Sequence, residues 1–242
     1  MEGPGVLVIK EKLEFLKGKI IEKVSGNTRE NKEKILNKRI VDIKSFGKRL
    51  IFDLEDVYLI IHFLMYGSFR INEKVENRKE RLQIVVENNV INFYNTSVKI
   101  VEKDKFYIDE RIDVMSKKFD KDLVKDKVKS YEGFVCDVLL DQSIFAGVGN
   151  IIKNEALFRA KIHPLSIAKK LNENLIDNLI EEVVNFSNIF YLCRKEGKSL
   201  KNFMLIYGKR RCPSCNSKIR IAKLGKYNRR TYYCENCQII YK

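Results

Sequence analysis

Residues 212–238 read CPSCNSKIRIAKLGKYNRRTYYCENCQ. Two Cys-x-x-Cys pairs, Cys212 with Cys215 and Cys234 with Cys237, are separated by 18 residues. Each pair sets two thiolates on a tight knuckle, and together they supply the tetrahedral S4 set that Zn²⁺ prefers. The residues between them alternate polar and apolar (KIRI, then TYYC), which is the pattern of a two-stranded hairpin. The spacing predicts one structural zinc ion in a zinc ribbon-like β-hairpin, because four protein ligands leave no position for water. KYNRRT falls at the hairpin tip. A rigid turn carrying Arg229 and Arg230 suits phosphate clamping, since each guanidinium offers a bidentate donor pair. Either arginine taken singly also fits an ordinary solvated turn.

Upstream, residues 140–158 read LDQSIFAGVGNIIKNEALF. The AGVGN segment is a tight glycine turn feeding a helix that starts near Asn150. Unsatisfied N–H groups at a helix start attract phosphate, and Lys153 adds a cation one turn in. Such turns are common, so this one gains weight from its company. Lys and Arg number 47 against 32 Asp and Glu, a net charge of +15 that points to a polyanion, most often nucleic acid. The abundance of Lys, Asn and Ile is also what an AT-rich genome encodes, so charge alone does not decide.

The rest of the chain falls into two characters. Leu7, Val8, Leu13 and Leu16 recur at roughly helical spacing, and Gly18 stands where a C′ glycine belongs. Short β-like runs follow at 20–24, 39–46, 49–54, 57–63 and 68–71, and 81–94 reads as a hairpin turning on Asn88-Asn89. From about residue 117 the pattern becomes helical: GFVCDVLLDQ, NIIKNEALFRA, then the long amphipathic stretch 175–195. The chain therefore reads as α+β, with a β-rich domain over 1–116, a helical domain over 117–208 and the zinc hairpin over 209–242. Cys136 and Cys193 stand alone and read as small buried apolar residues. No run of 18 apolar residues exists to span a membrane. The start lacks the basic and apolar regions of a signal peptide, so an intracellular place is expected, in cytoplasm and nucleoid or in a nucleus.

Five segments taken in order, MEGPG, FGKRLIF, IIHFLMYGSF, LLDQSIFAGVGNIIKNEALFRAKIHP and the terminal hairpin ending in CQ, resemble the formamidopyrimidine-DNA glycosylase/endonuclease VIII family. GVGNIIKNEALF, FYNTSV and FYLCRKEGKSLKNF resemble its endonuclease VIII-like-3 branch most. The resemblance implies an N-terminal β-sandwich with a leading helix, a helical domain with a helix–two-turn–helix, and a zinc β-hairpin, with DNA lying across the cleft between the two halves. It implies a monomeric DNA-repair glycosylase with abasic-site lyase activity.

The resemblance also assigns roles. The family's nucleophile is the α-amine of the first mature residue, with Glu-Gly-Pro behind it, and Met1 occupies that position. An α-amine has a pKa near ~8 against ~10.4 for lysine, so a useful share is neutral at pH 7 and able to attack C1′ of a deoxyribose. Glu2 is large and acidic, so Met1 is expected to be retained and, once deformylated, to act itself. A start missing one residue, or a lost lyase step, stays open beside this. Glu2 matches the catalytic carboxylate, Lys48 the hairpin lysine that reaches the DNA backbone, and Met65 the side chain that fills the gap left by a flipped base. Asn150 and Arg229 match phosphate contacts, with Arg230 secondary. His62 and His163 read as structural or backbone-contacting. Two departures bear on substrate. NFYNTSVKIV at 92–101 lacks an Arg-Phe-Gly loop, and the stretch between KSLKNF and Cys212 is too short for a lid over 8-oxoguanine. Both favour single-stranded, forked or crosslinked DNA, with hydantoins, oxidised pyrimidines and interstrand crosslinks as substrates. An enzyme acting on duplex DNA, and a damage binder without catalysis, are the alternatives.

Overall fold

The computed structural model describes residues 1–242. Its contacts divide it into two compact units, Met1 with Gly5–Ile108, and Glu2–Pro4 with Asp109–Lys242. The Lys- and Asp-rich stretch 117–130 lies inside the second.

Helix α1 (Gly3–Leu13) opens the chain. Pro4 sits in its first turn, where a missing N–H forfeits no helical bond. Val6, Ile9 and Leu13 are buried at helical spacing. Gly18, at φ 84°, lets the backbone turn away after the helix. Eight strands follow: β1 (Ile21–Ser25), β2 (Ile40–Phe46), β3 (Arg49–Leu54), β4 (Val57–His62), β5 (Ser68–Ile71), β6 (Leu82–Val86), β7 (Asn89–Tyr94) and β8 (Ser97–Glu102). They form two antiparallel sheets, ordered β1-β6-β7-β5 and β2-β3-β4-β8. Leu82, Ile84 and Val86 alternate inward along β6, whereas β3 and β4, central in their sheet, are buried almost continuously. Residues from both sheets share one apolar core, and Phe52 of one meets Phe93 of the other edge-to-face at 6.3 Å. This is the expected β-sandwich with a leading helix.

Two details differ from the sequence reading. Val86 pairs with Asn89, so the β6–β7 turn is Glu87-Asn88, one residue earlier than expected, with Glu87 at φ 51°. The register places Leu82, Ile84 and Val86 in the core, and core burial outweighs the preference of Asn for the left-handed position. Residues 97–102, not singled out as a strand, pair along the whole of β4.

The second unit is helical. Asp120 caps α2 (Lys121–Lys129) by accepting the Leu123 N–H, and Asn172 caps α5 (Glu173–Lys195) by accepting the Leu175 N–H. Helix α5 buries Ile176, Leu179, Ile180, Val183, Phe186 and Phe190, one stripe at three- and four-residue spacing. Between α3 (Val135–Val138) and α4 (Asn150–Arg159) the chain turns twice, the expected helix–two-turn–helix. GFVCDVLLDQ supplies only the short α3 rather than a full helix. Leu140 and Asp141 N–H both fold back on the Asp137 carbonyl, and the Asp141 carboxylate takes the Ser143 N–H to start a new turn. The unit ends in the hairpin of β9 (Arg220–Leu224) and β10 (Arg229–Tyr233). Arg229 pairs with Leu224, so both arginines open strand β10 and the turn itself is residues 225–228.

Phe93 is fully buried and meets the rings of both Phe52 and Phe63. Phe93→Ala is expected to lower unfolding free energy by about 4 kcal/mol, read from the urea midpoint at unchanged m-value.

Candidate functional site

In the first unit the terminal amine has a fixed seat. Met1 N donates to the carbonyl of Phe63 at 3.2 Å and to that of Leu64 at 2.7 Å. Both carbonyls belong to the β4–β5 connection, directly before Met65. A neutral amine has two N–H donors and one lone pair. As an ammonium the terminal nitrogen has three N–H donors, two of them directed at these carbonyls, and giving up one proton yields the lone pair that a nucleophile needs. Lys48 follows Gly47 in the two-residue β2–β3 turn, where Phe46 pairs with Arg49 and Gly47 adopts φ 56°. Burial holds His62 below the ordinary imidazole value, and repulsion from the terminal amine, Arg49 and Lys48 adds to it. These cations thus gather around His62 at one end of β3 and β4, and the imidazole among them is neutral at pH 7.

In the second unit the organising group is the Glu2 carboxylate. Its Oε1 accepts the Ile151 N–H at 2.7 Å, and its Oε2 accepts those of Gly149 at 3.1 Å and Ile152 at 3.2 Å. These are the first amides of α4, whose own N-cap residue, Gly149, has no side chain to offer. The helix start was expected to attract phosphate; the anion it holds is Glu2. Gly149 is required here, because a Cβ would overlap Cγ and Cδ of Glu2. Gly3 N–H donates to the Gly147 carbonyl at 2.9 Å, which fixes the backbone behind Glu2.

Helix α4 also grips strand β10 at three consecutive residues. Asn150 Nδ2 donates to the Arg230 carbonyl at 2.9 Å, Lys153 Nζ to Thr231 Oγ1 at 2.8 Å, and Tyr232 N–H to Asn154 Oδ1 at 2.7 Å. Lys153 therefore departs from its expected place among DNA-facing cations. It is fully buried, and its amine braces the hairpin. Burial lowers it to about 8, Arg229 adds to the lowering, and Cys136, Asp137 and Glu2 oppose it. The Asn150 amide is likewise engaged by the hairpin rather than turned outward. Arg229 and Arg230 are exposed at the start of β10. At the far side of α4 the buried Glu155 carboxylate accepts the N–H groups of Leu205, Ile206 and Tyr207 at 2.8–2.9 Å, anchoring the segment that leads into the hairpin.

The four cysteines meet as the spacing predicts. Sγ atoms of Cys212, Cys215, Cys234 and Cys237 lie within 4.8 Å of one another. Cys212 and Cys237 are 3.7 Å apart, and Cys215 and Cys234 3.5 Å. A tetrahedral S4 site with Zn–S near 2.3 Å needs sulfurs about 3.8 Å apart, so the donor set and its spacing suit that metal. Cys136 and Cys193 are buried singly, and burial pushes the Cys136 thiol up to about 12. His163 packs edge-on to Tyr233 at 4.8 Å, and its Nδ1 accepts the Leu165 N–H, a structural position.

Asn154, Glu155 and Thr231 were not singled out in the sequence. The signal lay in NIIKNEALF itself. Lys153, Asn154 and Glu155 are consecutive, so at 100° per residue they spread over most of the helix circumference and cannot all face water beside five apolar neighbours.

Removing either side of the Glu2 cap is expected to cost about 2 kcal/mol. Gly149→Ala and Glu2→Ala combined should cost far less than their sum in a urea double-mutant cycle, because both delete one interaction. Lys153 gives a pH signature. The unfolded amine titrates near ~10.4 and the folded one near 8, so between those values the unfolded chain binds more protons and stability rises with pH. Wild type is expected to gain on the order of 3 kcal/mol more than Lys153→Met across that window, read from denaturation at each pH.

Residues 1–99 match the family described as Formamidopyrimidine-DNA glycosylase N-terminal domain, and residues 112–189 the Formamidopyrimidine-DNA glycosylase H2TH domain. Endonuclease 8-like 3 of Xenopus laevis is 35% identical over 211 residues, which cover 81% of this chain and 34% of that protein. The chain thus spans about a third of the length of that relative. Formamidopyrimidine-DNA glycosylase of Rickettsia bellii (strain OSU 85-389) is 30% identical over 260 residues, covering 96% of this chain and 92% of the relative. A crystal structure of Lactococcus lactis formamido-pyrimidine DNA glycosylase, non-covalently bound to DNA containing an AP site, superposes with a TM-score of 0.85 at 25% identity, covering 98% of this chain and 99% of the other. With both domain matches, a near full-length relative and the shared fold, this chain belongs to the formamidopyrimidine-DNA glycosylase family.

Proposed function

We propose that this protein is a DNA-repair glycosylase that excises oxidised bases and then cleaves the strand at the abasic site. The observation that carries the reading is the Met1 α-amine seated on two backbone carbonyls, with a carboxylate on the next residue held by three amides. The amine lone pair bonds to C1′ of the damaged nucleotide as the C1′–N bond breaks, and the base leaves with the electron pair and takes up a proton from solvent. The attacking nitrogen then loses a proton to Glu2, which passes it to O4′. The ring opens to an imine between Met1 and C1′. Loss of a C2′ proton then expels the 3′ phosphate. Lys48, Arg229 and Arg230 supply cations for the DNA backbone, and Met65, 67% exposed, fills the gap left by the extruded base. Asn150 and Lys153 serve this by setting the β10 residues that carry the arginines. The four cysteines would hold one structural zinc ion, which closes the knuckles of the hairpin.

The short β7–β8 connection, Asn95 and Thr96 alone, supports a substrate whose opposite strand is weakly held. We read the substrate as single-stranded, forked or crosslinked DNA. The names of the relatives support the class of reaction. The enzyme acts as a monomer inside the cell.

The test begins with an intact mass that verifies a free Met1 amine. Borohydride with an abasic-site oligonucleotide is then expected to give a covalent adduct that peptide mapping places on Met1. Glu2→Gln is expected to slow base excision by at least ~100-fold. The same lesion should be cut faster in single-stranded than in duplex DNA. No adduct from verified protein would favour a damage binder, and faster duplex cleavage would overturn the substrate reading.

A further inference from the structure

The hairpin turn, residues 225–228, is pressed onto α3. Gly225, at φ 69°, comes so close that a Cβ there would overlap the Asp137 carboxylate, and the Tyr227 N–H points at Asp137 Oδ1 from 3.5 Å. Between these two residues Lys226 reaches across to the segment that joins α2 to α3. Its Nζ lies 5.0 Å from the ring centroid of Tyr131, 5.0 Å from that of Tyr227 and 3.7 Å from Asp141 Oδ2. Tyr131 is itself held, because its ring lies against Gly133, where a Cβ would come within 2.9 Å of it. A single exposed cation–π contact or ion pair contributes little. Here one ammonium meets two rings and a carboxylate, drawn from the turn, the α2–α3 segment and the residues after α3. Together they define its place, where each alone would leave it loose.

The clamp completes the support of β10. Helix α4 fixes the strand from residue 230 onward, through Asn150, Lys153 and Asn154. Lys226 fixes the chain from the other side, three residues before Arg229. Arg229 thus opens the strand between two anchors. A group that binds an anion loses conformational freedom on binding, and a backbone already docked has lost its share beforehand. The Lys226 charge is directed at Asp141 and two ring faces, so its part in gripping an anion lies in holding the turn.

We infer that Lys226 is a positioning residue: by docking the hairpin turn against Tyr131 and Asp141 it sets where Arg229 presents its guanidinium to a DNA phosphate. The inference rests on the proposed function for the role of Arg229.

The test uses the full chain and an oligonucleotide carrying an unreactive tetrahydrofuran abasic analogue. Lys226→Met is expected to bind it ~10-fold more weakly, and Lys226→Arg, which keeps a cation for both rings, to stay within ~2-fold of wild type. Tyr131→Leu leaves the Lys226 charge in place and is expected to lose as much as Lys226→Met. Arg229→Ala is expected to bind at least ~10-fold more weakly, and adding Lys226→Met to it should change binding by less than ~2-fold. In the free protein, backbone NMR order parameters over 226–229 should fall in Lys226→Met and return in Lys226→Arg. Each variant should unfold cooperatively on heating, because the Lys226 side chain is 54% exposed and no core contact is removed. Wild-type binding by Lys226→Met or Tyr131→Leu, no recovery in Lys226→Arg, or additive losses with Arg229→Ala, the mark of a direct phosphate contact, would each overturn the inference alone. Wild-type binding by Arg229→Ala would overturn the phosphate role of Arg229, and the inference with it.

Discussion

Three backbone amides converge on one carboxylate at the start of α4, and much of the second unit is arranged so that they can. A helix start leaves its first N–H groups without helical partners, and these are ordinarily met by the side chain of the residue before the helix. Here that residue is Gly149, which offers none. Glu2 supplies the acceptor from the other end of the sequence. The helix dipole and the three donors suit a negative charge at that point. Two further constraints follow. The backbone at 147–149 must come close enough to meet Glu2, and glycines at 147 and 149 permit it. The α4 axis, once set by this cap, decides where its later side chains reach.

Those later side chains make α4 a ruler for the hairpin. Asn150, Lys153 and Asn154 engage residues 230, 231 and 232 in turn, and Glu155 collects the amides of 205–207. Burying three polar side chains, Lys153, Asn154 and Glu155, in a ten-residue helix costs more than burying apolar ones of the same volume unless each finds a partner. An apolar interface would leave β10 free to slide by a residue, which would swap the faces of Arg229 and Arg230. Hydrogen bonds of defined direction remove that freedom. Lys153 carries the largest cost, because its ammonium is fully buried, and its position beside Thr231 is correspondingly well defined.

Much of this was legible from local pattern. The cysteine spacing foretold the sulfur cluster, because two knuckles and a hairpin leave little other choice. The β-like runs at 49–54 and 57–63 and the hairpin over 81–94 stand in the structure as β3, β4 and the β6–β7 pair. The helical stripe of α5 was read to within two residues of its start. What was lost lay where a distant contact outvoted the local signal. The glycine turn and helix start were rightly read as an anion site, but no rule of spacing says that the anion is residue 2. Lys153 was read as a surface cation because a lysine in a basic chain usually is one; its burial depends on β10 packing from 78 residues away. The β6–β7 turn moved by one residue because sheet register answers to the core.

The contact between Glu2 and Gly149 also bears on how such a chain can vary through descent. With a glutamate at position 2, any side chain at 149 intrudes on it, and with the glutamate gone the amides at 149, 151 and 152 lose their acceptor. Neither position can drift by itself. Although 147 positions apart in sequence, they work as one unit, and a change that removed the carboxylate would leave the beginning of α4 without its acceptor unless that segment were rebuilt with it.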